Sequence, residues 1–306
     1  MSAVLAAHLQ RVGRGRRLGV AVEITQAKGS TPRAEDAIML VDLTEISGTI
    51  GGGHLEYHAI DIARSMIEAG TRERRETIPL GPMMGQCCGG QVTLAFSAID
   101  QTAARRLGAR LAEQAECLRE ILAFGLGHTG RAFARVMAGM PFRTTMVDDR
   151  LDAFTGLPET VRARPCDDPE DAIAEARPDS AFVIFTHSHS LDYRLADRAL
   201  RRGDAAYVGM IGSATKRARF ASWFAQRGGS ARELAHLVCP IGGADVPDKR
   251  PEIIALLTAA EIARVFASPA SAGEGTSAAI RRGEALSPDI PSASPTTALR
   301  AVSLPR

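Results

Sequence analysis

The chain has 306 residues, of which 45% are hydrophobic and 24% are charged. This length suits two domains of ordinary size, and the composition is typical of a soluble globular protein. The formal net charge is only +2, so we expect no strong attraction to nucleic acid or to an anionic membrane surface. The sequence begins without a secretory signal pattern and has no apolar run long enough for a membrane span, which predicts a cytoplasmic protein.

Five cysteines occur in the chain, an odd number at irregular spacing. Such a pattern indicates free thiols in a reducing compartment rather than a disulfide framework. Free cysteines are commonly buried packing residues. We expect that role for the three that stand alone, which are Cys117, Cys166 and Cys239.

Residues 1–99 are predicted to form a small α/β domain. A helix with apolar residues at helical spacing begins near His54, directly after a glycine-rich segment. Short runs rich in β-branched and apolar residues predict the strands. These strands cover 18–26, 37–41, 76–80 and 91–97.

The rest of the chain is predicted to form a connecting helix, a Rossmann-like domain and a tail. The segment 100–118 is alanine-rich and amphipathic, and from 119 to 267 apolar strands alternate with helices. This alternation predicts a doubly wound parallel sheet. Residues 268–306 are rich in Ser, Pro, Ala and Gly, which predicts disorder. The strands are predicted at 119–124, 144–147, 181–186, 205–211 and 237–239, and the helices at 129–139, 191–202, 213–226 and 250–267.

A G-x-G-x-x-G motif, formed by Gly125, Gly127 and Gly130, follows a predicted strand and begins a helix. These glycines permit a tight turn and close approach of a phosphate to the helix N-terminus. Asp148 and Asp149 end the next strand, where a carboxylate in such a site accepts hydrogen bonds from ribose hydroxyls; Asp148 is the predicted contact. The motif therefore predicts NAD(P) or a related dinucleotide. A Rossmann-like domain that keeps the turn without a nucleotide is the alternative.

His187 and His189 follow another predicted strand. Ligands of open α/β sheets bind at this edge, and both imidazoles face a ligand if the chain is extended there. A metal site would need a third ligand, and none with suitable spacing lies nearby. The alternative is structural, because Ser190 suits a helix N-cap with Asp192 in the first turn.

Two further segments have the pattern of anion sites. Gly51, Gly52 and Gly53 precede the helix that starts near His54, and their amides can surround a phosphate or form a simple tight connection. In the segment 209–217, Ser213 suits an N-cap, while Lys216 and Arg217 either meet an anion or belong to a solvated basic face.

The segment 85–90 reads GQCCGG and contains Gln86, Cys87, Cys88, Gly89 and Gly90. Flanking glycines let a backbone approach a ligand and leave the sulfurs exposed. A structural disulfide between adjacent cysteines would be strained, so we expect a nucleophile, a redox pair or a soft metal ligand. A buried inert thiol is the alternative.

Together these motifs resemble those of the XdhC/CoxI family, in the same order over roughly 20–265. The last of them, CPIGG, departs from the family pattern because the segment that follows it is shorter, which weakens any role for Gly242 and Gly243. The matching segments are 29–33, 48–60, 81–94, 124–134, 147–150, 186–193, 207–220 and 239–243.

The resemblance implies a cytoplasmic accessory protein without turnover of its own. Such a protein binds molybdenum cofactor in its molybdopterin form, receives sulfur for it from a cysteine desulfurase, and delivers it to apo xanthine dehydrogenase. By position, Cys88 is the thiol that contacts molybdenum, and Cys87 is the second choice. A homodimer is expected. The predicted cofactor-binding set also contains the residues of the other motifs. They are Gln86, Gly89, Gly90, Gly51, Gly52, Gly53, Gly125, Gly127, Gly130, Asp148, His187 and His189.

Two other functions stay open from the residues. An NAD(P)-dependent oxidoreductase would use the glycine turn after 124, with His187 or His189 as the proton relay. A pure adaptor would hold the dehydrogenase and the desulfurase together, and would then not need Cys88.

Overall fold

The computed structural model describes residues 3–15, 18–31, 33, 35, 37–81, 89–243 and 246–267, except the side chains of Ala3 and Val4. The predictions for Gln86, Cys87, Cys88 and the tail 268–306 lie outside these residues. Within the described part of the chain, no helix combines the length and the apolar character that crossing a membrane requires.

The first sheet is antiparallel and has five strands in the order β3-β2-β1-β5-β4. Side chains of β1 alternate between its two faces, as a strand requires. Val20, Val22 and Ile24 pack with α2 in one core, whereas Ala21 packs with α1 and α3 in another. The elements are α1 (Ala3–Gly13), β1 (Gly19–Lys28), β2 (Ile38–Asp42), β3 (Ile46–Gly48), α2 (His54–Ala69), β4 (Glu73–Pro79), β5 (Gln91–Ala98) and α3 (Gln101–Glu116).

The second sheet has six strands, and every pairing in it is parallel. Its order is β11-β10-β9-β6-β7-β8, which confirms the doubly wound α/β fold. The strands are β6 (Glu120–Phe124), β7 (Arg143–Asp148), β8 (Arg162–Pro165), β9 (Ala181–Ile184), β10 (Tyr207–Met210) and β11 (Leu237–Val238). The helices are α4 (His128–Met137), α5 (Pro169–Glu175), α6 (His189–Arg202), α7 (Ala214–Gln226), α8 (Ala231–Leu234) and α9 (Pro251–Ala267), with a 3-10 turn at Leu151–Phe154.

Helices cover both faces of this parallel sheet. Helices α4 and α9 pack with Ile121 and Ala123 of β6 on one face. Helices α5, α6 and α7 pack with Leu122 and Phe124 of the same strand on the other. The chain passes from β6 to β7 and β8 on one side and then continues at β9 on the other side. The strand order therefore reverses between β6 and β9, where such sheets bind their ligands.

Several elements differ from the sequence predictions. The helix α1 was not predicted, although Leu5, Leu9 and Val12 are buried at helical spacing. The strand β8 was missed because it is an edge strand with no fully buried residue. The short helix α5 was also missed, yet Asp168 caps it and Pro169 occupies its first turn, which is a recognisable helix start.

Glu116, the last residue of α3, gathers three arginines at the amino edge of the parallel sheet. Its carboxylate accepts from Arg162 and from Arg143 at 2.9 Å, and it lies 3.4 Å from Arg177. Arg143 begins β7, Arg162 begins β8, and Arg177 precedes β9. Its hydrogen bond and ion pair with Arg162 lower the pKa of this carboxyl, and Arg143 adds to the effect. The connecting helix is therefore tied to the edge opposite the ligand-binding loops.

Candidate functional site

Three of the predicted motifs lie at the same edge of the antiparallel sheet, where its strands β1, β3 and β4 end. Gln91, the first residue of β5, pairs with both Lys28 and Pro79, the last residues of β1 and β4. At the same edge β2 begins and β3 ends, because Ile38 pairs with Glu23 and Met39 pairs with Gly48. The turn after β1, the glycine loop after β3 and the cysteine-containing loop between β4 and β5 therefore share this edge.

The described ends of the cysteine-containing loop are fixed by backbone contacts. The Leu80 N–H donates to the Gly90 carbonyl at 2.7 Å. A Cβ atom on Gly90 would lie 2.3 Å from the Ser30 carbonyl oxygen, so only glycine fits there. Gly89 is different, because a Cβ on it would meet no atom of the described residues within 4 Å. The described part of the chain thus leaves the backbone at Gly89 open, whereas Gly90 holds the loop against the turn after β1.

The glycine loop before α2 holds a carboxylate of its own. Gly51, Gly52 and Gly53 all have positive φ angles, which glycine adopts without strain. Glu56 reaches back from α2 and accepts from the Thr49 hydroxyl at 2.5 Å and from the Ile50 N–H at 3.0 Å. A bound anion cannot use those two donors while Glu56 occupies them.

The glycine turn after β6 lies against the loop after β9. A Cβ on Gly125, whose φ is +98°, would lie 2.8 Å from the Phe185 carbonyl oxygen. One on Gly130 would lie 1.9 Å from the Gly125 carbonyl oxygen, whereas one on Gly127 would meet nothing within 4 Å. Two of the three glycines therefore serve backbone packing, and Gly127 leaves open space at the start of α4.

Asp148 ends β7 beside this turn, and its carboxylate is already engaged. Oδ2 accepts from the Leu126 N–H at 2.7 Å and from Arg150 Nη2 at 2.9 Å. Oδ1 accepts from the Arg150 N–H at 3.0 Å and from Arg150 Nε at 2.9 Å. Burial raises the pKa of Asp148, but the Arg150 side chain and the backbone donors outweigh it and lower the pKa to about 2.

These bonds use the four acceptor positions of a carboxylate. Asp148 in this state holds the glycine turn, and it would accept from a ribose hydroxyl only after Arg150 leaves. The next residue, Asp149, has a side chain that is 53% exposed. Sequence reasoning placed the ribose contact on Asp148 because that residue ends the strand, and the direction of the neighbouring carboxylate was not readable from the pattern.

His187 and His189 are both exposed near the start of α6. The structural alternative named Ser190 as the N-cap, but Ser188, two residues earlier, caps α6, and Ser190 lies inside the helix. Ser188 takes this role because its hydroxyl faces the Leu191 N–H. Among the described residues, no three-membered group with metal-ligand geometry includes either histidine.

A buried ion pair joins the loops after β9 and β10. Asp192, 1% exposed, accepts from the Thr186 hydroxyl at 2.6 Å and pairs with Lys216. Lys216 also donates to the Ile211 carbonyl at 2.8 Å. The prediction that Ser213 caps α7 is confirmed. The prediction of Lys216 as an anion ligand is not supported, because a buried carboxylate requires its charge.

The isolated cysteines differ in their surroundings. Cys239 is buried at 6% exposure, and this burial raises the pKa of its thiol, as a packing role requires. Cys166 is partly buried and packs at the edge of the same core. The packing prediction is wrong for Cys117, which is exposed at the C-cap of α3.

Comparisons with known proteins agree with this arrangement. Residues 13–78 match the XdhC and CoxI family, and residues 121–262 match the XdhC Rossmann domain. This chain belongs to the XdhC and CoxI family. Together the two matches cover more than half of its length.

Two individual proteins are similar over most of this chain. The uncharacterized protein YqeB of Escherichia coli strain K12 is 25% identical over 255 residues, 79% of this chain but 42% of YqeB. The chain thus spans about two fifths of that curated relative. A crystal structure from Bacillus halodurans, described as a xanthine dehydrogenase, has a TM-score of 0.68 and 18% identity. The match covers 88% of this chain and 98% of the other, and it shows a shared fold.

Replacing Asp148 should remove a contribution to stability that is present at neutral pH and lost in acid. A carboxyl whose folded pKa is about 2, against an ordinary value of 3.8, stabilises the fold above pH 4 and loses that contribution as pH falls through 2. Asp148→Asn should therefore lower the free energy of unfolding by about 2 kcal/mol at neutral pH, and the deficit should shrink below pH 4. Urea unfolding at pH 7 and pH 3 measures this, with exposed Asp149→Asn as the control. A deficit independent of pH would contradict the assignment.

Alanine substitutions in the turn after β6 should distinguish the glycine that packs against backbone, Gly130, from the glycine that has room for a side chain, Gly127. Gly130→Ala forces a Cβ onto the Gly125 carbonyl oxygen and should cost about 1–3 kcal/mol of stability. Gly127→Ala has room for its Cβ and should stay within about 0.5 kcal/mol of the parent. Equal melting temperatures of the two variants would refute this geometry.

Proposed function

We propose that this chain is an accessory protein that binds molybdenum cofactor, supports its sulfuration by a cysteine desulfurase and delivers it to apo xanthine dehydrogenase. Membership of the XdhC and CoxI family supports this role. The Bacillus halodurans protein of the same fold, described as a xanthine dehydrogenase, is consistent with it. The cofactor is cargo in this proposal, and the chain itself needs no turnover.

The observation that carries the proposal is the placement of three loops at the same end of the antiparallel sheet. The cysteine-containing loop leaves the sheet after Pro79 and returns at Gln91, beside the end of β1. A thiolate is a soft ligand and suits molybdenum that sulfur already holds. Cys88 is the proposed contact and Cys87 the second choice, with Gln86 beside them.

The described glycines of this edge fit a bulky anionic cargo. Within the described residues, a Cβ built on Gly89 or on Gly52 would meet no atom within 4 Å. Helix α2 starts at this edge, and its cap residue Gly53 has no side chain. The first amides of a helix favour a phosphate, and molybdopterin carries one; the Thr49 hydroxyl and the Ile50 N–H are not among the donors on offer, because Glu56 accepts from both. The proposed role of these residues is to bind and orient the cargo, while the thiol of Cys88 contacts the metal.

The carboxyl edge of the parallel sheet supports a second binding function. Gly127 is open, and Asp149 presents an exposed carboxylate next to the turn that Asp148 holds. We infer that this edge takes a dinucleotide, with Asp149 accepting from the ribose hydroxyls. Arg150 lies 2.9 Å from Asp148 and 3.9 Å from Asp149. With Asp152 nearby, three carboxylates outnumber this one cation and disfavour a phosphorylated ribose. Of the two NAD(P) forms, this charge balance favours NAD over NADP.

The decisive test of the chaperone proposal is anaerobic binding of isolated molybdenum cofactor to the purified protein. Saturable binding is expected, and Cys88→Ala should weaken it at least about tenfold because the soft ligand is lost. Cys117→Ala, which removes an exposed thiol outside the loop, is the matched control and should bind like the parent.

Other outcomes separate the alternatives. Loss of binding in Cys87→Ala alone would assign the contact to the neighbouring thiol. Binding that survives both loop variants would move the site to the glycine turns and the histidines. Absence of binding would overturn the chaperone proposal. Normal maturation of the dehydrogenase with Cys88→Ala would favour the adaptor.

Calorimetry with NAD+ and NADP+ tests the dinucleotide inference. NAD+ should bind more tightly than NADP+, and Asp149→Asn should weaken NAD+ by about tenfold or more, because a charged hydrogen bond is lost. Asp167→Asn, an exposed carboxylate after β8, is the control. Equal affinity for both nucleotides, or an unchanged Asp149→Asn, would contradict the assignment.

A further inference from the structure

A cluster of potential metal ligands lies where α1 covers the β2–β3 hairpin. His8 comes from α1, Asp42 ends β2, and Glu45 precedes β3. One ligand atom from each lies within 4.8 Å of the other two, and within the described residues no other group of three meets this criterion. Asp42 pairs with Gly19, the first residue of β1, so the cluster lies at the end of the sheet opposite the cysteine-containing loop.

The imidazole of His8 is the unusual member of this cluster. Its side chain is 0% exposed, and its Nε2 has no hydrogen-bond partner among the described residues. Nε2 lies 3.4 Å from Asp42 Oδ2. The other ring nitrogen, Nδ1, lies 2.7 Å from the Ser47 hydroxyl. A buried polar atom without a partner is costly, so the space between Nε2 and the carboxylates calls for a cation.

The neighbours of the two carboxylates hold them in place. Asp42 Oδ1 accepts from the Thr44 N–H and the Glu45 N–H, each at 2.6 Å, and Oδ2 lies 3.4 Å from His8 Nε2. Glu45 Oε1 accepts from Arg11 at 2.5 Å. Hydrogen bonds of this kind behind the ligands are usual in metal sites, where a ligating histidine donates its second ring N–H to a fixed acceptor. Ser47 supplies that acceptor here.

We propose that His8 Nε2, Asp42 Oδ2 and a Glu45 carboxylate oxygen bind one divalent cation of the zinc type. Zinc bonds of about 2.0–2.2 Å at tetrahedral angles separate two ligand atoms by about 3.3 Å. The 3.4 Å between His8 Nε2 and Asp42 Oδ2 fits this separation, and it is long for a hydrogen bond. Three protein ligands leave the fourth position to water. The metal then joins α1 to the hairpin.

The competing explanation is a proton in place of the metal. An imidazole that carries its proton on Nε2 would donate to Asp42 and need no third ligand. Both explanations join the same side chains, so stability of a His8 variant alone does not distinguish them. Metal binding does, because the proton-only pair has no affinity for zinc or cobalt.

The experiment titrates chelator-treated full-length protein with Co²⁺ and Zn²⁺. The background carries Cys87→Ser and Cys88→Ser, because those thiols are soft ligands that would bind either metal. One equivalent of Co²⁺ should give the visible absorption of a tetrahedral nitrogen–oxygen site, without thiolate charge-transfer bands, and Zn²⁺ should displace it. Zinc should also raise the melting temperature, and above the Kd this rise should grow with the logarithm of the free zinc concentration.

Variants assign the site. His8→Asn should lower zinc affinity at least about tenfold, whereas His58→Asn, an exposed histidine of α2, should not change it. Ser47→Ala keeps all three ligands and should weaken binding by about 10–100-fold, which gives a second test if His8→Asn does not fold. No tetrahedral cobalt spectrum, or equal zinc affinity in the parent and Ser47→Ala, would overturn the proposal and leave the proton-paired histidine.

Discussion

Close backbone-to-backbone contact, possible only where a residue lacks Cβ, shapes both candidate binding edges. Gly90 meets the Ser30 carbonyl at the edge of the antiparallel sheet, and Gly130 meets the Gly125 carbonyl at the edge of the parallel one. In each place a neighbouring glycine, Gly89 or Gly127, has open space instead. The same residue type therefore plays two roles, one that fixes a loop and one that leaves its backbone accessible.

Buried charges at the parallel sheet are paired, and this pairing decides which groups are left for a ligand. Asp148 is held by Arg150 and the Leu126 N–H, and Asp192 is held by Lys216. An unpaired buried ion would be far more costly than these pairs. Exposed polar side chains at this edge include Asp149, which lies 3.9 Å from Arg150, and His187 and His189. The edge thus combines buried, paired charges with exposed polar side chains above them.

The sequence predicts the fold better than it predicts the site. Alternating strands and helices and the glycine turn are local patterns, so the doubly wound sheet follows from them. Whether Asp148 is free for a ligand depends on the direction of the Arg150 side chain, and the spacing of residues in the sequence does not show that direction. Helix α1 was missed although its pattern is present, and with it the contact between His8 and Asp42. That contact joins residues from separate elements and only becomes visible after folding.

The three arginines that surround Glu116 affect how well the protein tolerates substitutions at this junction. Arg143, Arg162 and Arg177 approach one carboxylate from the starts of different strands. Loss of one arginine leaves two cations at Glu116. Loss of Glu116 leaves Arg143 with Glu120 but takes this carboxylate away from Arg162 and Arg177. Substitutions on the two sides of this junction should therefore be unequal in effect and non-additive. Substitution is therefore better tolerated at any one of the three arginines than at Glu116.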